Sequence, residues 1–208
     1  MVAAMIAKRF LIANGSLNTK ILVVYPPALE KNWKTTFKTF NIDKHCKFIT
    51  NGRLDKILEG NSHDYWPKEE YDLVLVDEAH RYRNHTSTMF ANLQRICKSG
   101  RANEGLVKGN KKKVMLISAT PLNNRPQDLY YLLLLFQDAR QSTLSETNLQ
   151  SFFAPIIKEY KEIIASPSPD IERIREIYTH IRKKIIEQIS VRRTRKNLDN
   201  FPAYKSDL

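Results

Sequence analysis

Cysteine is scarce in this sequence. Its 208 residues include two, Cys46 and Cys97, far apart and outside any C-x-x-C spacing. That argues against a disulfide framework or a cysteine-built zinc site and fits a reducing compartment. Long apolar runs are also missing: none reaches the roughly 20 residues that span a bilayer. The apolar opening Met1–Ala13 has its cations, Lys8 and Arg9, near its end. A secretory leader carries charge first and the apolar run second, so this segment reads as a core helix. His45, His63 and His85 share no metal-ligand spacing with each other or with the cysteines. Ser118 lacks the G-x-S-x-G setting of a hydrolase nucleophile. No G-x-x-x-x-G-K-[S/T] occurs, so the glycine-rich loop that cradles phosphates is absent. Internal repeats are absent as well.

What is present is apolar content and positive charge. Hydrophobic residues make up 42% of the chain, enough for a sizeable core and against disorder. The net charge of +12 speaks about partners rather than fold, and nucleic acid is the default partner of a strongly basic domain.

Ile21–Tyr25 and Asp72–Val76 are short, continuous, β-branched-rich runs, the pattern of strands buried on both faces. Lys47–Thr50 and Lys113–Ser118 read as further strands. Helices are expected at Met1–Ala13, Leu29–Phe40, Leu54–Leu58 and Thr88–Cys97. Strands alternating with helices predict an α/β fold with a parallel sheet covered on both faces. Ser99–Lys113 reads as an exposed loop, with Lys111-Lys112-Lys113 a solvated run. After Arg125 only helices are expected: Leu129–Phe136, opened by Pro126, Leu149–Ile164, and Ile171–Ile189 beyond the breaker Ser166–Pro169. The expected organisation is an α/β lobe over 1–125, a helical appendage over 126–195 and the start of a linker over 196–208.

The strongest chemical signal is Val74-Leu75-Val76-Asp77-Glu78-Ala79-His80. Here a buried strand runs into two adjacent acids, which are costly to bury unpaired. Open α/β sheets bind ligands at the carboxyl ends of their strands. Because the chain leaves the strand at Asp77, both carboxylates can reach one site. Asp77 suits a hydrated Mg²⁺, which prefers oxygen and keeps its waters. Glu78 suits the orientation of an attacking water. Phosphoryl transfer is catalysed mainly by positioning and charge neutralisation, so these two roles suffice locally.

Asp77-Glu78-Ala79-His80 resembles the motif that names the DEAH-type members of helicase superfamily two. Other segments extend the resemblance. Ser118-Ala119-Thr120-Pro121 resembles the Ser-Ala-Thr motif, which in that superfamily couples nucleotide state to nucleic-acid grip. Pro26-Pro27-Ala28-Leu29, running to Trp33, resembles the proline-rich motif of the Swi/Snf-type branch, which lines the nucleic-acid path; core packing explains Leu29 and Trp33 equally well. Thr50-Asn51-Gly52-Arg53-Leu54 resembles the Thr-Pro-Gly-Arg-Leu motif of the DEAD-box branch, with Asn51 where proline would stand. An ordinary Asn-Gly turn is the alternative there. Arg81-Tyr82-Arg83-Asn84, Leu122-Asn123-Asn124 with Asp128-Leu129-Tyr130, and Val191-Arg192-Arg193-Thr194-Arg195-Lys196 resemble Swi/Snf-type extensions.

The resemblance implies a RecA-like P-loop NTPase lobe, the first of two, using ATP and Mg²⁺. It implies catalytic roles for Asp77, Glu78 and His80, with Asp77 as the Mg²⁺ ligand, and coupling roles for Ser118, Ala119 and Thr120. It implies nucleic-acid contacts at Pro26, Pro27, Thr50, Asn51, Gly52, Arg53, Asn123, Asn124, Arg192 and Arg193. The expected partners are DNA or RNA and a second lobe of the same chain, in the cytoplasm and with no membrane. With neither phosphate loop nor second lobe, the chain is expected to be a fragment with little or no ATPase activity of its own. Two other readings stand beside this one: a non-catalytic nucleic-acid-binding or scaffold lobe, and the motor subunit of a restriction enzyme.

Overall fold

The computed structural model describes residues 1–15, 17–60, 63–102, 111–118 and 125–191. Ala119, Thr120, Asn123, Asn124, Arg192 and Arg193 fall outside these. The chain divides into two compact units, Met1–Ala139 and Arg140–Leu208.

The first unit is built on a parallel sheet. Strands β1 (Ile21–Tyr25), β2 (Cys46–Thr50), β3 (Leu73–Val76) and β4 (Lys113–Leu116) stand in the order β2-β1-β3-β4. All three pairings are parallel. β1 and β3 are buried along their whole length, as their unbroken apolar runs predict. Alternation decides which residue faces which layer. Leu22, Val24, Val74 and Val76 share one core cluster, whereas Ile21, Val23, Leu73 and Leu75 share the other.

Helices α1 (Val2–Ala13) and α2 (Glu30–Thr39) supply the second cluster through Ala4, Ala7, Leu11 and Phe37. Helices α3 (Asp55–Leu58), α4 (Thr88–Lys98) and α5 (Pro126–Leu134) supply the first through Ile57, Leu93, Ile96 and Leu132. The expected α/β fold, a parallel sheet flanked by helices, is therefore the observed one. α2 ends in a tight stop. Asn41 turns left-handed at φ 56°, Asn41 N–H donates to the Lys38 carbonyl and Ile42 N–H to that of Phe37. This is the Schellman arrangement, and Ile42 folds back into the same cluster as Phe37.

Three details differ from the sequence reading. The division between units falls after Ala139 rather than Arg125, because α5 buries Leu129, Leu132 and Leu133 and Leu132 and Leu135 join the core of the first unit. Lys112 is not solvated: it is 7% exposed. Its ammonium donates to the Ser99 carbonyl, the Ser99 hydroxyl and the Gly100 carbonyl at 2.6–2.8 Å, and burial pushes its pKa down to about 8. The expected exposed loop is pinned at both ends, by an antiparallel bridge between Gly100 and Lys111 and by Arg101, whose side chain is buried against Asp72.

The second unit is helical among its described residues. α6 (Leu149–Ala165) continues through Pro155, which is exposed and deprives the Ser151 carbonyl of its usual intrahelical donor. α7 (Ile171–Ile181) passes into a π-helical turn, Arg182–Ile186, and ends in the short α8 (Glu187–Ile189). The single helix expected over Ile171–Ile189 is thus interrupted. Asp170 caps α7 by accepting the Arg173 N–H, and Arg173 pairs with Glu159 of α6. No helix among the described residues is long and apolar enough to cross a membrane.

Candidate functional site

Parallel strands deliver their carboxyl ends to one edge of the sheet. Tyr25 is in register with Thr50, and Val24 with Val76. Pro26-Pro27, Thr50–Arg53 and Asp77–His80 therefore leave the sheet at the same edge. The ladder extends past β3: Asp77 N–H donates to the Val24 carbonyl at 2.8 Å, Ile117 N–H to Val76 at 2.8 Å, and Ala79 N–H to Ile117 at 2.9 Å. The last bond brings Ser118 alongside the turn that follows Asp77.

Asp77 and Glu78 are half-buried. Asp77 Oδ1 accepts the backbone N–H of Glu78 at 2.9 Å, and Oδ2 accepts the indole N–H of Trp33 at 2.8 Å. Glu78 adopts φ 50°, ψ 47°, a left-handed conformation. For a residue with a Cβ this costs roughly 1–2 kcal/mol, and such strain clusters at functional sites. It re-aims the chain, so that the turn Ala79–Tyr82 folds back with Ala79 and Tyr82 buried. His80 Nδ1 then lies 3.1 Å from Glu78 Oε2, both side chains being one-third exposed. That nitrogen is shielded and off the line of a hydrogen bond.

The arrangement suits one hydrated divalent cation better than a closed metal cage. Asp77 offers oxygen only, and each carboxylate oxygen keeps a free lone pair beyond the bond it accepts. Among the described residues no group of three or more His, Cys, Asp or Glu side chains could hold a metal. Mg²⁺ typically takes one or two carboxylates and completes its shell with water and substrate phosphate.

The remaining motif residues divide. Pro26 precedes a single 3₁₀ turn, Pro27–Leu29, that leads into α2. Asn51–Arg53 form another such turn, with Asn51 buried. A Cβ on Gly52 would meet open space, and Arg53 is exposed, so this corner is approachable. In the extension after His80, Tyr82 is core and Asn84 is a turn former. Asn84 Oδ1 accepts from the Thr86 N–H and hydroxyl, ahead of Ser87, which caps α4 through Phe90 N–H. Arg81 and Arg83 are left exposed. Sequence reading missed the Trp33–Asp77 bond. The available signals were the parity of Asp77, which continues the Leu73, Leu75 series that faces α2, and the one-turn spacing of Trp33 from Phe37. Among cavities away from this edge, one of about 370 Å³ is lined by Leu17, Thr19, Lys20, Lys44, His45 and Trp66.

No protein-family model matches the chain. It is similar to an uncharacterised ATP-dependent helicase, YqhH, of Bacillus subtilis (strain 168), at 24% identity over 163 residues, covering 73% of this chain and 26% of that protein. The chain thus spans about a quarter of the length of that curated relative. Among solved structures it is similar to the Sulfolobus solfataricus SWI2/SNF2 ATPase core in complex with dsDNA, with a TM-score of 0.48 and 14% identity over 85% of this chain and 35% of that one.

Proposed function

We propose that this chain is the first lobe of an ATP-dependent nucleic-acid motor of the Swi/Snf-type, DEAH-containing kind. The observation that carries the reading is the end of β3: a fully buried parallel strand that delivers Asp77, a strained Glu78 and His80 to the edge shared with Pro26-Pro27 and Thr50–Arg53. Similarity to a protein described as an ATP-dependent helicase supports it.

In this reading Asp77 would hold a hydrated Mg²⁺, which when bound would supply charge neutralisation at the phosphates of ATP. Glu78 orients the attacking water and accepts its proton. His80 contacts Glu78 and relays the state of the site towards Ser118, and the coupling role extends to Ala119 and Thr120. DNA lies along the edge formed by Pro26, Pro27, Thr50, Asn51, Gly52 and Arg53. Asn123, Asn124, Arg192 and Arg193 remain nucleic-acid contacts on the strength of their motifs. The lobe works with a second lobe, in the cytoplasm, and has little ATPase activity by itself.

The test is DNA-stimulated ATP hydrolysis by the full-length protein carrying these residues. Asp77→Asn should remove the stimulation, and equal rates in variant and parent would sink the reading. For the chain itself, DNA affinity should fall steeply between 50 and 200 mM salt, because each neutralised phosphate releases counterions, with a logarithmic slope of about −0.9 per contact on duplex. Titration of a labelled duplex at several salt concentrations measures that slope. A flat response would exclude a basic contact surface.

A further inference from the structure

The bond from Trp33 Nε1–H to Asp77 Oδ2, 2.8 Å long, joins residues 44 positions apart. The parity of β3 explains why they meet. Leu73 and Leu75 face the layer of α1 and α2, and Asp77 is next in that series. Trp33 stands one helical turn before Phe37 on α2, a spacing that puts both on one face. Phe37 is fully buried and packs edge-on against Phe48. Its ring lies 5.5 Å from that of Trp33, so the indole is held by packing before it donates. On the other side, Asp77 Oδ1 accepts the Glu78 N–H at 2.9 Å. Two donors on different oxygens fix the plane of the carboxylate, and about two of its four acceptor sites are left for another ligand.

We propose that Trp33 is a positioning residue for Asp77: its indole N–H sets the orientation in which that carboxylate receives a hydrated divalent cation. This rests on the reading of Asp77 as the Mg²⁺ ligand. Trp33 does not touch the cation. It acts as the hydrogen-bond partner of the carboxylate that holds the hydrated ion, by analogy with the outer partners of metal-bound carboxylates, whose loss typically weakens metal binding ten- to a hundredfold. Packing alone would have been served by phenylalanine, since the face of α2 needs a ring and not a donor.

The test uses the 208-residue chain, with Mn²⁺ standing in for Mg²⁺ because its paramagnetism broadens nearby NMR signals. The reporter is the backbone amide of Glu78, which every variant retains. Trp33→Phe keeps a ring against Phe37 and deletes the donor. If that variant folds poorly, a benzothienylalanine at position 33 keeps the bicyclic shape and replaces only the N–H with sulfur. Either change should raise the Mn²⁺ concentration for half-broadening roughly ten- to a hundredfold. Asp77→Asn should raise it at least as far. An unchanged midpoint on loss of the donor, with a raised one in Asp77→Asn, overturns the positioning role and leaves the cation reading intact. Unchanged midpoints in both overturn the cation reading and the proposal with it. A second readout needs no metal. The chain has two tryptophans, so its indole signals are assigned by their loss in Trp33→Phe and Trp66→Phe. Asp77→Asn should move the Trp33 indole signal and leave that of Trp66 in place. A Trp33 signal that ignores Asp77→Asn overturns the proposal by itself.

Discussion

Asp72→Asn is expected to cost the first unit about 3–5 kcal/mol of stability, the usual penalty for stripping one partner from a buried ion pair. The side chains of Asp72 and Arg101 are 2% and 1% exposed. Asp72 Oδ1 accepts from Arg101 Nε at 2.8 Å and lies 2.5 Å from Nη2, and Oδ2 accepts the Lys20 backbone N–H at 2.9 Å. Arg101 also donates to Asn14 Oδ1, and Asn14 in turn donates to the Thr19 hydroxyl. One carboxylate thus secures the end of α1, the approach to β1, the start of β3 and the chain beyond α4. Asparagine keeps the shape but offers one acceptor oxygen and one NH₂ group to a set of donors. The guanidinium would then be buried without the Asp72 charge beside it. Urea denaturation followed by circular dichroism measures the shift, and a loss below about 1 kcal/mol would mean that the pair is solvated like a surface bridge. The double variant Asp72→Leu/Arg101→Met should recover much of the loss, because removing both charges also removes their desolvation cost.

This clasp sits at the amino edge of the sheet, opposite the acidic end of β3, and the two edges were unequally legible in the sequence. The acidic end was plain because its signal is local: four apolar residues running into Asp77-Glu78-Ala79-His80. β1 and β3 were plain for the same reason, since a strand buried on both faces must be apolar throughout. The amino edge was hidden. Lys112 lies in a run of three lysines, and local charge says surface. What buries it is a set of carbonyls supplied by Ser99 and Gly100 through a bridge that only the tertiary fold creates. α5 reads as part of a separate appendage because the strand pattern stops before it, yet its Leu132, with Leu135 just beyond it, belongs to the core of the first unit. The backbone of Glu78 was equally unreadable. Nothing in its side chain favours a left-handed conformation, so the ladder on either side of it, Asp77 to Val24 and Ala79 to Ile117, imposes one. Trp33 lies between these cases. Its spacing from Phe37 and the parity of Asp77 were both in the sequence, but a packing role accounted for the ring without a donor.

Glu78→Gln is expected to lower DNA-stimulated ATP turnover in the full-length protein by about 10²–10⁴-fold, the usual share of a general base, while ATP affinity stays close to that of the parent. Glutamine has the length of glutamate and the same cost at φ 50°, so the substitution leaves the local backbone alone. What changes is the group 3.1 Å from His80 Nδ1: a carboxylate able to accept a proton becomes an amide that cannot. Asp77, with its bonds to Trp33 and to the Glu78 N–H, is untouched, since the second of these uses backbone. Steady-state hydrolysis, paired with nucleotide-binding titration, separates the two effects. Turnover within a few-fold of the parent would remove Glu78 from the chemistry. Glu78→Gly completes the argument. Glycine adopts the left-handed region without strain, so that variant should be about 1 kcal/mol more stable than the parent and just as inactive as Glu78→Gln. Stability gained with activity lost is the signature of a residue held in a strained conformation for its chemistry rather than for its packing.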